Sequence, residues 1–370
     1  MTNPIHTLYD LGQSLWYDNI ERRLLKNGDF KRMIDAGEIR GVTSNPSIFK
    51  NAIGESSDYD ASLRELQSQG KTAEEIFEGL AIEDIKAAAD LFKPVYDETE
   101  GGDGFVSIEV NPHLADDTNE TEAEVIRLWE AVDRPNLMVK IPATEAGIPA
   151  IRDSIARGIN INITLIFSIH RYQQVIDAYF SGLEERVEAG LDISGLASVA
   201  SFFVSRVDTK VDGWLEDIIR SEGPGASLAH SLMGTIAVAN AKLAYQEFLA
   251  YHSSERYVRL SEHGAGLQRP LWASTSTKNP AYQDIKYVEE LVGPDTVNTI
   301  PPQTLDAYRD HGNPAVVIDQ DLDAASKRMM ELGAIGLSID RATRELEVEG
   351  VEAFSAAYDS LIKTVRSRME

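Results

Sequence analysis

The chain has 370 residues, 43% of them hydrophobic, no cysteine, and a net charge of −25 from 60 acidic and 35 basic side chains. That apolar content supports a full core and excludes a disordered chain, while the acidity speaks against nucleic-acid and anionic-membrane partners. The lack of cysteine excludes disulfides, thiolate catalysis and cysteine-ligated metal centres.

Eight strand-like segments follow in order, at 14–18, 39–45, 104–111, 137–143, 158–167, 197–205, 269–276 and 296–300. Amphipathic stretches at 72–92, 120–132, 169–188 and 206–220 read as helices between them. Helical additions are expected at 227–251 and after Asp321. The polar stretch 251–268, with Gly264 and Gly266, reads as a loop. Strands alternating with helices imply a parallel sheet under helical cover, and eight such units imply a closed (β/α)8 TIM barrel. The expectation is an α/β protein with one barrel domain over 1–370, helical insertions, and a helical tail from about 321 to 370. A doubly wound sheet competes, but no G-x-G-x-x-G follows the first segment. Residues 1–13 show no basic stretch followed by an apolar core, and no run approaches the roughly 20 apolar residues that span a bilayer. A soluble, cytoplasmic protein is therefore expected. The seven histidines form neither an H-x-H nor an H-E-x-x-H pair, so a histidine-metal site has no local support.

Lys140 stands out because Val139 and Ile141 flank it inside a strand that should be buried on both faces. An unpaired buried ammonium is costly, and the usual outcome is a neutral amine, which is a nucleophile for carbonyls. Two plainer readings stand beside this one: the amine reaches solvent at the strand end, or it pairs with a carboxylate. Side chains alternate faces along a strand. With apolar Val106, Ile108, Val139, Ile141, Ile161 and Ile163 turned to the helices, the opposite parity gathers Asp18, Asn45, Glu109, Lys140, Asn162, Thr164 and Ser201 from six segments. A barrel holds its chemistry where such groups meet at strand C-terminal ends. Each group alone could be a satisfied interior hydrogen-bond partner, and Glu109 could be no more than the ion-pair partner of Lys140.

The residues around these positions resemble a known family. Gly41-Val42-Thr43-Ser44-Asn45-Pro46-Ser47-Ile48-Phe49 resembles the first signature of transaldolases. Leu137-Met138-Val139-Lys140-Ile141-Pro142-Ala143-Thr144 resembles the second, which carries a Schiff-base lysine. Asn160-Ile161-Asn162-Ile163-Thr164-Leu165-Ile166-Phe167-Ser168, Ala200-Ser201-Phe202-Phe203-Val204-Ser205-Arg206 and Gln268-Arg269-Pro270-Leu271-Trp272-Ala273-Ser274-Thr275 match further segments of the longer bacterial type. The resemblance implies a class I aldolase barrel that moves a dihydroxyacetone unit between sugar phosphates in the non-oxidative pentose phosphate pathway. It implies no cofactor or metal. It also implies catalytic roles for Lys140, Asp18, Glu109 and Thr164, and substrate contacts from Asn45, Asn162, Ser201, Phe203 and Arg206. Where many members place a second phosphate-binding arginine, this chain offers Lys278, which keeps the charge but not the forked geometry. The alternative within the family is a lyase that cleaves fructose 6-phosphate to free products. Phe203, where that group typically carries tyrosine, favours the transferase. The choice between monomer and homodimer stays open.

Overall fold

The computed structural model describes residues 3–369; Met1, Thr2 and Glu370, the outermost residues of the expected 1–370 domain, lie outside them. Among the described residues one parallel sheet holds seven strands: β1 (Gln13–Tyr17), β2 (Val106–Glu109), β3 (Leu137–Pro142), β4 (Ile161–Ile166), β5 (Ser198–Phe203), β6 (Gln268–Ala273) and β7 (Thr296–Ile300). Their order is β1-β7-β6-β5-β4-β3-β2, so β1 and β2 are the two edges of a curled sheet. Every position of β1, β3, β4, β5 and β7 is buried, so the polar side chains that alternate with apolar ones along them are held inside the fold.

Residues 39–45, expected as the second of eight strands, do not form one. Val42 instead makes isolated parallel bridges to Tyr17 and to Val106. On one side Tyr17 N donates to Gly41 O at 2.9 Å and Thr43 N to Tyr17 O at 3.0 Å. On the other, Val42 N donates to Phe105 O at 2.9 Å and Ser107 N to Val42 O at 3.0 Å. The segment thus joins both sheet edges, but its extended run is cut short. Asn45 caps the next helix, Pro46–Glu55, and Pro46 at the first helical position cannot donate to a ladder.

Gly41 makes that junction fit. A Cβ there would stand 2.6 Å from Trp16 Cδ2, and Trp16 is wholly buried. Gly41→Ala is therefore expected to lower the unfolding free energy by about 1–3 kcal/mol, the usual cost of overpacking. A urea midpoint equal to that of the parent would contradict the tight fit.

The helical expectations hold in outline. Helix Ala73–Glu98 starts at a capping box, in which Thr72 and Glu75 satisfy each other's backbone amides. The stretch 251–268, expected as a loop, contains helix Glu255–Glu262. Ser254 caps it, and Tyr257 and Leu260, three residues apart, are its buried face. Two apolar residues are too few to stand out in a polar run. The tail forms helices Leu322–Ala334 and Ile339–Met369. The second packs on helices Pro46–Glu55, Ala73–Glu98 and Ser205–Arg220. Its end is tied down by Arg368, which donates to the carbonyls of Ile53 and Ser56 and pairs with Asp60. No helix among the described residues is long and apolar enough to cross a membrane.

Candidate active site

Strand register places the chemistry. Glu109 on β2 is directly opposite Lys140 on β3, and Lys140 is opposite Asn162 on β4, so the three share one row. Pro142 opposite Thr164 sets the threonine one step further toward the strand ends. At that end of the sheet lies a cavity of about 680 Å³. Asp18, Asn45, Lys140 and Thr164 line it, as do Ser201, Phe203, Arg206 and Lys278. Glu109 and Asn162 stand behind this lining.

The amine of Lys140 does not escape to solvent: the residue is 5% exposed. Its Nζ donates to the Ser44 carbonyl at 3.0 Å and stands 3.5 Å from Glu109 Oε2. That second distance makes a loose ion pair, so the amine retains donor capacity toward the cavity. Burial pushes the Glu109 carboxyl up from 4.5 to about 7; Lys140 and Arg206 oppose the shift and Asp18 adds to it. Burial also raises Asp18, against a hydrogen bond from Thr43 Oγ1 at 2.6 Å and the attraction of Lys140. A carboxyl that titrates near neutrality can both give and take a proton.

The elevated Glu109 value has a consequence for stability. The folded state holds this proton more tightly than the unfolded chain. The contribution is therefore full below pH 4.5 and is lost as the pH rises through 7. At about 1.4 kcal/mol per tenfold in proton affinity, the shift amounts to at most roughly 3–4 kcal/mol. Glu109→Gln is expected to flatten the fall in urea midpoint between pH 5 and pH 8. Equal slopes in parent and variant would show that Glu109 does not titrate there.

The remaining predicted residues differ in how free they are. Thr164 Oγ1 is buried without a hydrogen-bond partner among the described residues, so it can hold a substrate hydroxyl or a water. Asn45 Oδ1 accepts from Ile48 N at 3.0 Å as a helix cap; this orients the amide and leaves its NH2 for the cavity. Asn162 is more committed. Its Nδ2 donates to Ser107 Oγ at 3.0 Å and its Oδ1 accepts from Ser201 Oγ at 2.7 Å. The Ser201 proton is spent in the same bond.

Arg206 stands in the first turn of helix Ser205–Arg220, whose amino end faces the cavity. The guanidinium lies 5.1 Å from the Phe203 ring centroid and makes no hydrogen bond or ion pair with the described residues. Burial pulls its pKa below the ordinary value. A guanidinium without a partner among the described residues, beside a helix N-terminus, has the charge and the free donors that suit an anion. Lys278 also lines the cavity and has no partner among the described residues, but it is exposed. Lys210, one turn beyond Arg206, differs: its Nζ pairs with Glu345 at 2.8 Å and Glu349 at 2.7 Å.

Sequence reasoning missed the contribution of the tail. Leu346, Glu349 and Phe354 of helix Ile339–Met369 line the same cavity. Leu346, Gly350, Phe354 and Tyr358 recur every four residues, which marks one helix face. That pattern shows a face in want of a partner and not which partner it takes. Among the described residues no three histidine, aspartate or glutamate side chains converge as a metal site.

A family model described as Transaldolase/Fructose-6-phosphate aldolase matches residues 15–365 of the chain. A transaldolase of Trichodesmium erythraeum is 44% identical over 375 residues, covering 100% of this chain and 98% of its own. One from Thermobifida fusca is 45% identical over 370 residues, covering 100% and 99%. Transaldolase 2 of Streptomyces coelicolor is 44% identical over 373 residues, covering 100% and 98%.

Proposed function

The chain belongs to the transaldolase/fructose-6-phosphate aldolase family, and from that premise we propose that Lys140 carries a dihydroxyacetone unit from one sugar phosphate to another as a Schiff base. The activity is that of a transaldolase, a transferase of the pentose phosphate pathway acting on sugar phosphates. The donor is sedoheptulose 7-phosphate and the acceptor glyceraldehyde 3-phosphate; the products are erythrose 4-phosphate and fructose 6-phosphate. The observation that carries this reading is the Lys140 amine, buried at the cavity wall with a carboxyl that titrates near pH 7 at its side.

In the first half-reaction the amine attacks C2 of the donor. Glu109, through a water held by Thr164 Oγ1, gives the proton with which the carbinolamine hydroxyl leaves as water. The iminium then accepts the electron pair of the breaking C3–C4 bond, and Asp18 takes the C4 hydroxyl proton as erythrose 4-phosphate departs. In the second, the enamine carbon attacks the acceptor aldehyde and Asp18 returns its proton to the new hydroxyl. Water then hydrolyses the iminium and frees fructose 6-phosphate. Asn45 offers its NH2 to hydroxyls of the bound three-carbon unit. Asn162, with both ends engaged, acts from behind by holding Ser201 in place. Arg206 takes the terminal phosphate, with Phe203 flanking its guanidinium, and Lys278 adds an exposed point charge.

The proposal extends to the scaffold. Segment 40–43, bonded to both sheet edges, is read as the short eighth stave of a closed (β/α)8 barrel, in one domain over 1–370 that works in the cytoplasm. The chemistry is tested by borohydride reduction in the presence of fructose 6-phosphate, followed by peptide mapping. The expected adduct is on Lys140, and labelling elsewhere would overturn the mechanism. Rapid release of dihydroxyacetone without acceptor would replace the transferase by the lyase alternative.

A further inference from the structure

Transfer and simple cleavage share every step up to the enamine. They diverge at its carbon: an acceptor aldehyde gives transfer, whereas a proton from water gives free dihydroxyacetone after iminium hydrolysis. A cavity of about 680 Å³ has room for about twenty waters at roughly 30 Å³ each. Acceptor exchange keeps that cavity open, so local shielding of the reacting carbon must come from its immediate walls.

We propose that Phe354, on the C-terminal helix, is that shield and sets the balance between transfer and release. Its ring centroid lies 6.0 Å from Lys140 Nζ and 5.9 Å from Arg206 Cζ, so one ring spans the amine and the phosphate-binding guanidinium. The ring lines the cavity and is half-buried.

Its position is held from both sides. One turn earlier, a Cβ at Gly350 would approach Leu165 Cδ2 to 3.0 Å and Phe167 Cε2 to 3.6 Å, so the helix lies almost directly on β4. Leu165 is itself in the left-handed region, with φ 60°, where the β4–β5 register shifts. The next residue back is Thr164, whose hydroxyl has no partner among the described residues. Glu345 and Glu349 grip Lys210, and Arg171 pairs with Glu347 at 3.0 Å. One turn later, Tyr358 packs edge-on against Phe77 at 5.9 Å and against His113 at 5.8 Å. A side chain set between two such anchors excludes water at one place without closing the route for the acceptor. The tail then has a catalytic reason to cross the cavity, beyond covering apolar surface.

This inference rests on the Schiff-base reading, and the experiment separates the two. Wild type, Phe354→Ala and Phe354→Leu are incubated with fructose 6-phosphate in D2O, with and without an acceptor aldose phosphate. Two rates are read: transfer to the acceptor, and release of dihydroxyacetone carrying one deuterium at the former enamine carbon. Phe354→Ala is expected to raise the ratio of release to transfer about tenfold by admitting water, and Phe354→Leu, which keeps most of the bulk, by less than about threefold. An unchanged ratio in Phe354→Ala, with both rates lowered together, would overturn the shielding role and leave a structural one. If Phe354→Ala does not fold, Phe354→Val takes its place, and the graded order Val above Leu above Phe is then required. Absence of a borohydride-trappable adduct on Lys140 in wild type would sink the Schiff-base reading itself. An adduct with an unchanged ratio would sink only the role of Phe354.

Discussion

Lys140→Met is expected to lower kcat/KM for dihydroxyacetone transfer by about 10⁴-fold or more, because the nucleophile of a covalent route cannot be replaced by its neighbours. Methionine keeps the length and apolar stem of lysine, so the strand should stay packed between Val139 and Ile141, both fully buried. Two groups lose a partner. The Ser44 carbonyl loses its donor, a cost of about 1–3 kcal/mol. Glu109 loses the cation 3.5 Å away and is pushed further toward its neutral form, which limits the electrostatic cost near pH 7. The variant should therefore fold, as circular dichroism and urea midpoints can establish, and yet form no reduced adduct. Activity within tenfold of wild type in a folded Lys140→Met protein would remove Lys140 from the mechanism.

The second large effect concerns Arg206. Two charge-assisted hydrogen bonds to a phosphate, at about 1.5–3 kcal/mol each, correspond to a loss of about 10²–10⁴ in kcat/KM for Arg206→Ala. Arg206→Lys should recover only part, since a point charge cannot make the forked contact. The loss should be specific to phosphorylated donors: borohydride trapping with unphosphorylated dihydroxyacetone should change little. Stability should not fall much either. The guanidinium makes no direct ion pair among the described residues and feels Glu109 only at a distance, so its removal strands no hydrogen-bonded partner. Equal losses for trapping with dihydroxyacetone and with fructose 6-phosphate would place Arg206 in the general architecture and not at the phosphate. Lys278→Ala should cost about tenfold or less, because its ammonium is exposed and screened.

Particular residues show how far the sequence reached. The alternation of apolar and polar residues in 104–111, 137–143 and 158–167 placed Glu109, Lys140 and Asn162 on one face. The observed register sets them in one row. Strand parity is a property of the backbone, so it survives without knowledge of the neighbours. The extended run at 39–45 was legible as β-forming, but its reduction to bridges at Val42 was not. How many residues pair depends on where the flanking edges begin, and those edges are distant in sequence. Ser201 and Asn162 read as two substrate ligands. In the fold they bond each other, because side chains on adjacent strands satisfy one another wherever they can. Helix Glu255–Glu262 was hidden for the opposite reason: its buried face is too narrow to mark a period.

The sequence by itself determined the parallel α/β plan, the inward row around Lys140 and the family. These follow from local periodicity and from short motifs whose residues act close to where they stand in the chain. Only the tertiary structure decided which polar groups are free and which are spent. Among the described residues it left Thr164 Oγ1, Arg206 and Lys278 unpartnered, while Asn162, Ser201 and Lys210 are engaged. It alone laid Phe354 across the amine and the guanidinium. An amphipathic helix announces that it has an apolar face; the surface that face covers is set by packing among elements far apart in the chain.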